Sequence, residues 1–320
     1  MDQSQETAVG RNLTLEIARK TERAAIAAAG WRGKGDEMEA DQAAVTAMHN
    51  ALNDIEIEGQ VVIGEGRGAP LLALGEAVGK GHGPQIDVAV DPLEGVTGCA
   101  KNLADSLSVM AFSERGGLLR VPDAYMEKIA IGPGYPHGIV DLDKSPAENI
   151  TALAEAKGVA VSDIVACLLD RPRHAGLIAQ LRELGVAVKL LPDGDIAAVI
   201  HAANSDDTGI DIYLGSGGAP EGVLAAAAIR CMGGQMQGRL ILDTADKKAA
   251  ARELGIGDGK LCAEDMVRGN VLFAATGVTD GSLLRGVKLL PRRVVTSSVV
   301  MRSWSHTIRW ITAEHRRELA

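Results

Sequence analysis

Asp91 and Glu94 stand three residues apart in Val90-Asp91-Pro92-Leu93-Glu94-Gly95, where an apolar run from 85 to 90 meets a proline and a glycine. That run reads as a strand, and Pro92, with no N–H to donate, is expected to end it. Two carboxylates at a strand mouth suit a divalent cation held by hard oxygen ligands. Alone, the pair reads equally as an acidic strand-end turn. Glu65 repeats the setting in Gly64-Glu65-Gly66, after the short strand 60 to 63; its glycines free the backbone for a ligand, or make a solvated turn. Asp41 falls in the first turn of a helix expected from about 40 to 55, where the dipole favours an acid, and alone it reads as a cap. Glu221 follows Gly217-Gly218-Ala219-Pro220, with Pro220 near the first position of a helix. It is either a metal ligand or a surface acid that satisfies the dipole.

Arg171 and Arg173 flank Pro172, with His174 beside them. Guanidinium forks match phosphate oxygens, so these three groups read as a phosphate clamp or as a solvated basic turn. Asp193 and Asp195 straddle Gly194, placed to meet sugar hydroxyls or to cap a helix. The glycine-rich turn at 215–218 offers free N–H groups to an anion, but Glu221 would repel one unless a cation lay between. Together these residues fit metal-assisted hydrolysis of a sugar phosphate monoester, with in-line transfer to water. The chain has no G-x-S-x-G elbow, no G-x-x-x-x-G-K-[ST] loop and no zinc-spaced His or Cys cluster.

Helices and strands must bring these residues to common ends. Apolar spacing predicts an amphipathic helix over 13–29, then strands at 106–112 and 125–131, mixed irregularly as in an α+β arrangement. From about 145 the rhythm becomes regular: helix 147–157, strand 164–169, helix 175–184, strand 187–191, helix 196–203, strand 210–214, helix 220–230. Such alternation predicts a parallel sheet with right-handed crossovers, whose ligands sit at the carboxyl ends of the strands. The expected organisation is an α+β metal-binding half over 1–144 and an α/β substrate-binding half over 145–320, closing on a hairpin of strands 294–300 and 306–311.

The composition narrows the class. A chain of 320 residues supports an ample core, filled by aliphatic residues because aromatics are scarce. Its net charge of -9 argues against a nucleic-acid partner. Cys99, Cys167, Cys231 and Cys262 form no C-x-x-C pair, which suits reduced, mostly buried thiols and a cytoplasmic location. Residues 1–12 lack an apolar signal core, and the most apolar run, 223–229, is too short to span a bilayer, so no membrane association is expected.

In order along the chain, Ala40-Asp41, Val62-Ile63-Gly64-Glu65-Gly66, Asp91-Pro92-Leu93-Glu94-Gly95, Pro122-Asp123-Ala124-Tyr125-Met126-Glu127-Lys128, Arg171-Pro172-Arg173-His174, Pro192-Asp193-Gly194-Asp195 and Gly217-Gly218-Ala219-Pro220-Glu221-Gly222 resemble class II fructose-1,6-bisphosphatase, of the lithium-sensitive, metal-dependent phosphatase superfamily. The resemblance implies a five-layer αβαβα sandwich and dependence on Mn2+ or Mg2+. It implies hydrolysis of fructose 1,6-bisphosphate in gluconeogenesis, acceptance of sedoheptulose 1,7-bisphosphate in some relatives, and a homodimer or homotetramer. By motif position, Asp41, Glu65, Asp91, Glu94 and Glu221 match metal ligands. Glu94, Tyr125, Arg171, Arg173, Asp193, Asp195 and Gly218 match substrate positions, and Asp91 and Glu94 belong to the catalytic set.

Three departures stand out. Arg67-Gly68-Ala69-Pro70 replaces an acidic G-E-G-E-x-D-E-A-P continuation, and Glu37 replaces a lysine. Val96 replaces the threonine of D-P-x-E-G-T, leaving Thr97, one position later on a strand-like stretch, as the nearest hydroxyl. These changes raise a second reading, a weakened relative that binds sugar phosphate as a sensor or as the partner of an active paralogue.

Overall fold

The computed structural model describes residues 9–10, 12–66 and 68–316; Arg67 and most of the polar stretch 1–12 lie outside them. In chain order the elements are α1 (Leu13–Ala29), α2 (Glu37–Leu52), β1 (Glu58–Ile63), β2 (Ala77–Val78), β3 (Gln85–Glu94), α3 (Val96–Ala100), β4 (Leu107–Glu114) and β5 (Tyr125–Ile131). Then come α4 (Pro146–Lys157), β6 (Val165–Leu169), α5 (Ala175–Glu183), β7 (Ala187–Leu191), α6 (Asp195–Ala203), α7 (Ser205–Thr208), β8 (Ile212–Gly218) and α8 (Ala219–Met232). β9 (Gln235–Ile241), α9 (Ala245–Glu253), β10 (Leu261–Cys262), α10 (Ala263–Met266), β11 (Val271–Gly277), β12 (Lys288–Leu289), β13 (Arg293–Arg302) and β14 (Thr307–Arg316) follow.

The chain is α/β, with two mixed sheets in two compact units: Met1–Leu119 with Val267–Ala320, and Arg120–Met266. This division differs from a cut at 144. β5 pairs with β8 and β9, while β11 pairs with β4, so the C-terminal strands, including the expected hairpin of β13 and β14, complete the first sheet.

In the first unit the strands run β2-β1-β3-β4-β11-β13-β14, with β12 also on β13; β1 and β3 are parallel and the other pairs antiparallel. One face carries Val88, Val90, Met110, Phe112, Leu272, Ala274 and Val300 against α1 and α2. The apolar spacing of α1 drives this packing, and Ile17, Ala24, Ala25 and Ala28 are fully buried.

β3 does not end at Pro92. Asp91 faces Val109 and Glu94 faces Leu107, so three steps along β3 match two along β4 and the strand bulges. A proline costs no ladder hydrogen bond in a bulge, so the strand continues to Glu94. Gly95, at φ 81° and ψ 47°, then turns the chain directly into α3. Val96 and Thr97 are thus the first two residues of a helix and not a strand-like stretch.

The second sheet runs β10-β9-β5-β8-β6-β7. β6 is parallel to β7 and β8, as the alternation predicts, whereas β5, β9 and β10 pair antiparallel. The regular half is therefore only partly a parallel sheet. Ile129, Ile131, Ala166, Leu168, Ile212 and Leu214 pack on α4 and α5. α6 and α8 pack on each other and on β5 and β8, buried along nearly their whole length. β8 runs four residues past its expected end, so the glycine-rich stretch 215–218 is ladder and not free turn.

Among the described residues, no helix is long and apolar enough to cross a membrane, and all four cysteines are free thiols, three of them buried.

Gly95 fixes where Asp91 and Glu94 leave the sheet. Its φ lies where side chains are strained, and a Cβ there would come 3.1 Å from the Ser106 Oγ, which itself donates to the Gly95 carbonyl at 2.8 Å. Gly95→Ala is expected to lower unfolding free energy by about 1–2 kcal/mol, read from urea denaturation.

Candidate active site

The acids of the first unit sit at strand and helix ends. Glu94 closes the β3 bulge and is buried; Asp91 is half-buried beside it. Glu65 follows β1, its N–H donating to the Leu72 carbonyl at 3.0 Å, and is half-buried. Asp41 is not the cap of α2. The helix begins at Glu37, and Asp36 is its N-cap, accepting from the Glu39 N–H at 3.1 Å. Asp41 therefore lies one turn inside the helix, where burial pushes its carboxyl above the ordinary range. Capping does not account for it. Glu37 is exposed in the first turn of α2.

In the second unit the predicted residues gather at the carboxyl ends of β6, β7 and β8. Arg171 is held by its own surroundings: Nη2 donates to Asp193 Oδ1 at 3.0 Å, and Nη1 donates to the Asp170 carbonyl and to that of Pro192. Arg173 lies over the Tyr125 ring, 4.9 Å from its centroid, and donates to the Ser216 carbonyl from Nη2 at 2.7 Å. Tyr125 is 47% exposed, so this stack presents a guanidinium and a phenol to solvent together.

His174 is not a third arm of the clamp. It is 3% exposed, its Nδ1 donates to the Leu169 carbonyl at 2.8 Å, and its Nε2 accepts the Ser216 N–H at 2.9 Å. The neutral ring straps β6 to β8. Burial first, opposed by its backbone hydrogen bonds, holds the His174 pKa below the usual histidine value.

Gly194, in the left-handed region, is the N-cap of α6 and no side chain caps the helix, so neither Asp193 nor Asp195 is there for capping. Asp193 pairs with Arg171. Asp195 is buried in an ion pair with Lys128, whose side chain is 0% exposed. Lys128 is a residue the sequence reading missed. The available signal was its place in β5, where Tyr125 and Glu127 point out and Met126 and Lys128 point in.

Glu221 lies in the first turn of α8 after Pro220, as its spacing predicts. A Cβ on Gly218 would come 1.8 Å from Glu221 Oε2, so only glycine leaves room for that carboxylate. The turn is no anion cradle: Ala219 N–H donates to the Ala124 carbonyl, and Gly215 to Gly218 pair with β5. Oε2 of Glu221 is buried with no hydrogen-bond partner. Burial, then the charge of Asp195, push this carboxyl above the ordinary range, while Lys128 pulls it down.

Among the described residues, no three His, Cys, Asp or Glu side chains are gathered as a metal-holding group. Taken unit by unit, the carboxylates Asp41, Glu65, Asp91 and Glu94 of the first are hard oxygen donors of the type that suits a divalent cation, and in the second the orphaned Glu221 oxygen is another.

Arg173 on the Tyr125 ring, with Arg171 paired to Asp193, offers guanidinium groups of the kind that bind phosphate esters. The family described as "Bacterial fructose-1,6-bisphosphatase, glpX-encoded" matches residues 11–315, and this chain belongs to it. Among curated proteins, the D-fructose 1,6-bisphosphatase class 2/sedoheptulose 1,7-bisphosphatase of Synechococcus sp. (strain JA-3-3Ab) is 43% identical over 335 residues, covering 96% of each chain. The protein of that description from Prochlorococcus marinus (strain MIT 9303) is 43% identical over 326 residues, covering 96% of this chain and 97% of its own.

The depressed pKa of His174 sets a sign for stability against pH. A histidine more acidic in the fold than in the unfolded chain contributes stability that is present above about 6.5 and lost as pH falls below it. Thermal unfolding between pH 7.5 and 5 should show this loss, and His174→Gln should flatten it.

Proposed function

We propose that the chain hydrolyses the 1-phosphate of fructose 1,6-bisphosphate to fructose 6-phosphate and phosphate, and accepts sedoheptulose 1,7-bisphosphate. The stack of Arg173 on Tyr125 beside the Arg171–Asp193 pair is the observation that carries the reading. It offers phosphate-matching forks next to hydroxyl-matching carboxylates on adjacent strand ends. The relatives' enzyme names favour turnover over the binding-only alternative.

In this reading Asp41, Glu65, Asp91, Glu94 and Glu221 hold Mn2+ or Mg2+. A divalent cation supplies charge for the phosphoryl oxygens and acidifies the attacking water. Arg171 and Arg173 bind a phosphate, Tyr125 supports Arg173, and Asp193 and Asp195 orient the sugar, with Gly218 beside Tyr125 leaving room for Glu221. Glu94 contacts substrate and Asp91 accepts the water's proton, which passes to the departing sugar 1-oxygen as its bond to phosphorus breaks. Thr97 orients that water. Successive helical residues are about 100° apart, so Thr97 replaces the hydroxyl missing at Val96 from a different direction. The setting is cytoplasmic sugar metabolism, with the chain as a homodimer or homotetramer.

Phosphate release from fructose 1,6-bisphosphate, with fructose 6-phosphate as co-product, tests the assignment. Asp91→Asn is expected to lower kcat by about 10²–10⁴, and Thr97→Val by about 10². Unchanged kcat in Thr97→Val would remove that residue from the mechanism. No phosphate from wild-type protein supplied with either cation would end the hydrolase reading.

A further inference from the structure

Lys128 is fully buried, and an ammonium out of water is strongly unfavourable unless paired. Its Nζ meets Asp195 Oδ2 at the first residue of α6. The surrounding backbone is pared down to fit the pair. A Cβ on Gly217 would come 2.0 Å from Asp195 Oδ2 and 3.3 Å from Lys128 Nζ, and one on Gly222 3.3 Å from Lys128 Cε. Asp195 repels the Glu221 carboxylate and Lys128 attracts it. One ammonium thus serves two neighbouring carboxyl groups: it pairs with Asp195, while Glu221 Oε2 has no hydrogen-bond partner.

We propose that Lys128 is a positioning residue: it fixes Asp195 in place for sugar recognition and leaves Glu221 as the uncompensated carboxylate for a divalent cation. This rests on the hydrolase reading above. The Lys128 side chain is sealed from solvent and its ammonium is paired with Asp195. Its contribution passes through Asp195, so it belongs to substrate binding and not to the chemical step.

The test is a cycle of Lys128→Met, Asp195→Asn and the double variant, with steady-state kinetics on fructose 1,6-bisphosphate and Mn2+ binding read by electron paramagnetic resonance of free Mn2+. Each single variant is expected to raise KM by on the order of tenfold with kcat within about threefold. The double variant should be no worse than Asp195→Asn alone, because the two residues act as one unit. Mn2+ binding by Lys128→Met should be no weaker than wild type, since a cation near Glu221 has been removed. A merely structural lysine would instead weaken Mn2+ and sugar binding together. Unchanged KM in Lys128→Met, additive losses in the double, or weakened Mn2+ binding would each overturn the proposal. Should Lys128→Met alone not fold, the double takes its place: KM equal to that of Asp195→Asn supports the proposal and a further loss overturns it. Failure of both to fold while Asp195→Asn folds would also overturn it, making Lys128 a requirement of the fold. Wild-type turnover separates the two claims. Its absence sinks the hydrolase reading, whereas normal turnover with an unmoved Lys128→Met sinks only the role of Lys128.

Discussion

A carboxylate withdrawn from water must find a cation or a set of donors, and much of this chain is organised around that demand. Asp195 meets it with a buried lysine, and the orphaned Glu221 oxygen leaves it unmet. Buried acids of this kind weaken a fold that does no chemistry with them. Their presence here is the physical reason the proposed reading gives them a cation to hold.

The backbone devices that create this arrangement are local and inexpensive. One extra residue in β3 places Asp91 and Glu94 at a bulge, where Pro92 is harmless and Gly95 can swing the chain into α3. Glycines at 217 and 218 leave room for carboxylates that any side chain would displace. His174, sealed between β6 and β8, holds the loop that carries Arg171 and Arg173 at a fixed strand end. The ladders thus fix the strand ends from which these loops and side chains project.

Strong periodicity made α1 and β5 legible in the sequence to the residue, since amphipathic spacing and alternation mark both. The start of α2 was missed although Asp36-Glu37-Met38-Glu39 carries the capping signature, and that error made Asp41 look like a cap. Pairing between β4 and β11 joins residues more than 150 positions apart, and no local pattern encodes such a partner, so the unit boundary was misplaced. The placement of Arg171, Arg173, Asp193, Asp195 and Glu221 at strand-to-helix junctions was legible because polar residues after apolar strands are visible in one dimension. Lys128 and the inward turn of His174 were not, because burial of a charged side chain is settled by what packs over it.

In the proposed function the acids at the strand ends hold a divalent cation that hydrolysis requires. Titration of Mn2+ into protein stripped with a chelator, followed in parallel by thermal unfolding and by phosphate release from fructose 1,6-bisphosphate, tests it most directly. Melting temperature and turnover are expected to rise over the same range of Mn2+, because a cation bound to the folded state would serve the reaction from one place. Full turnover in the presence of chelator, with no shift in melting on adding Mn2+, would contradict it.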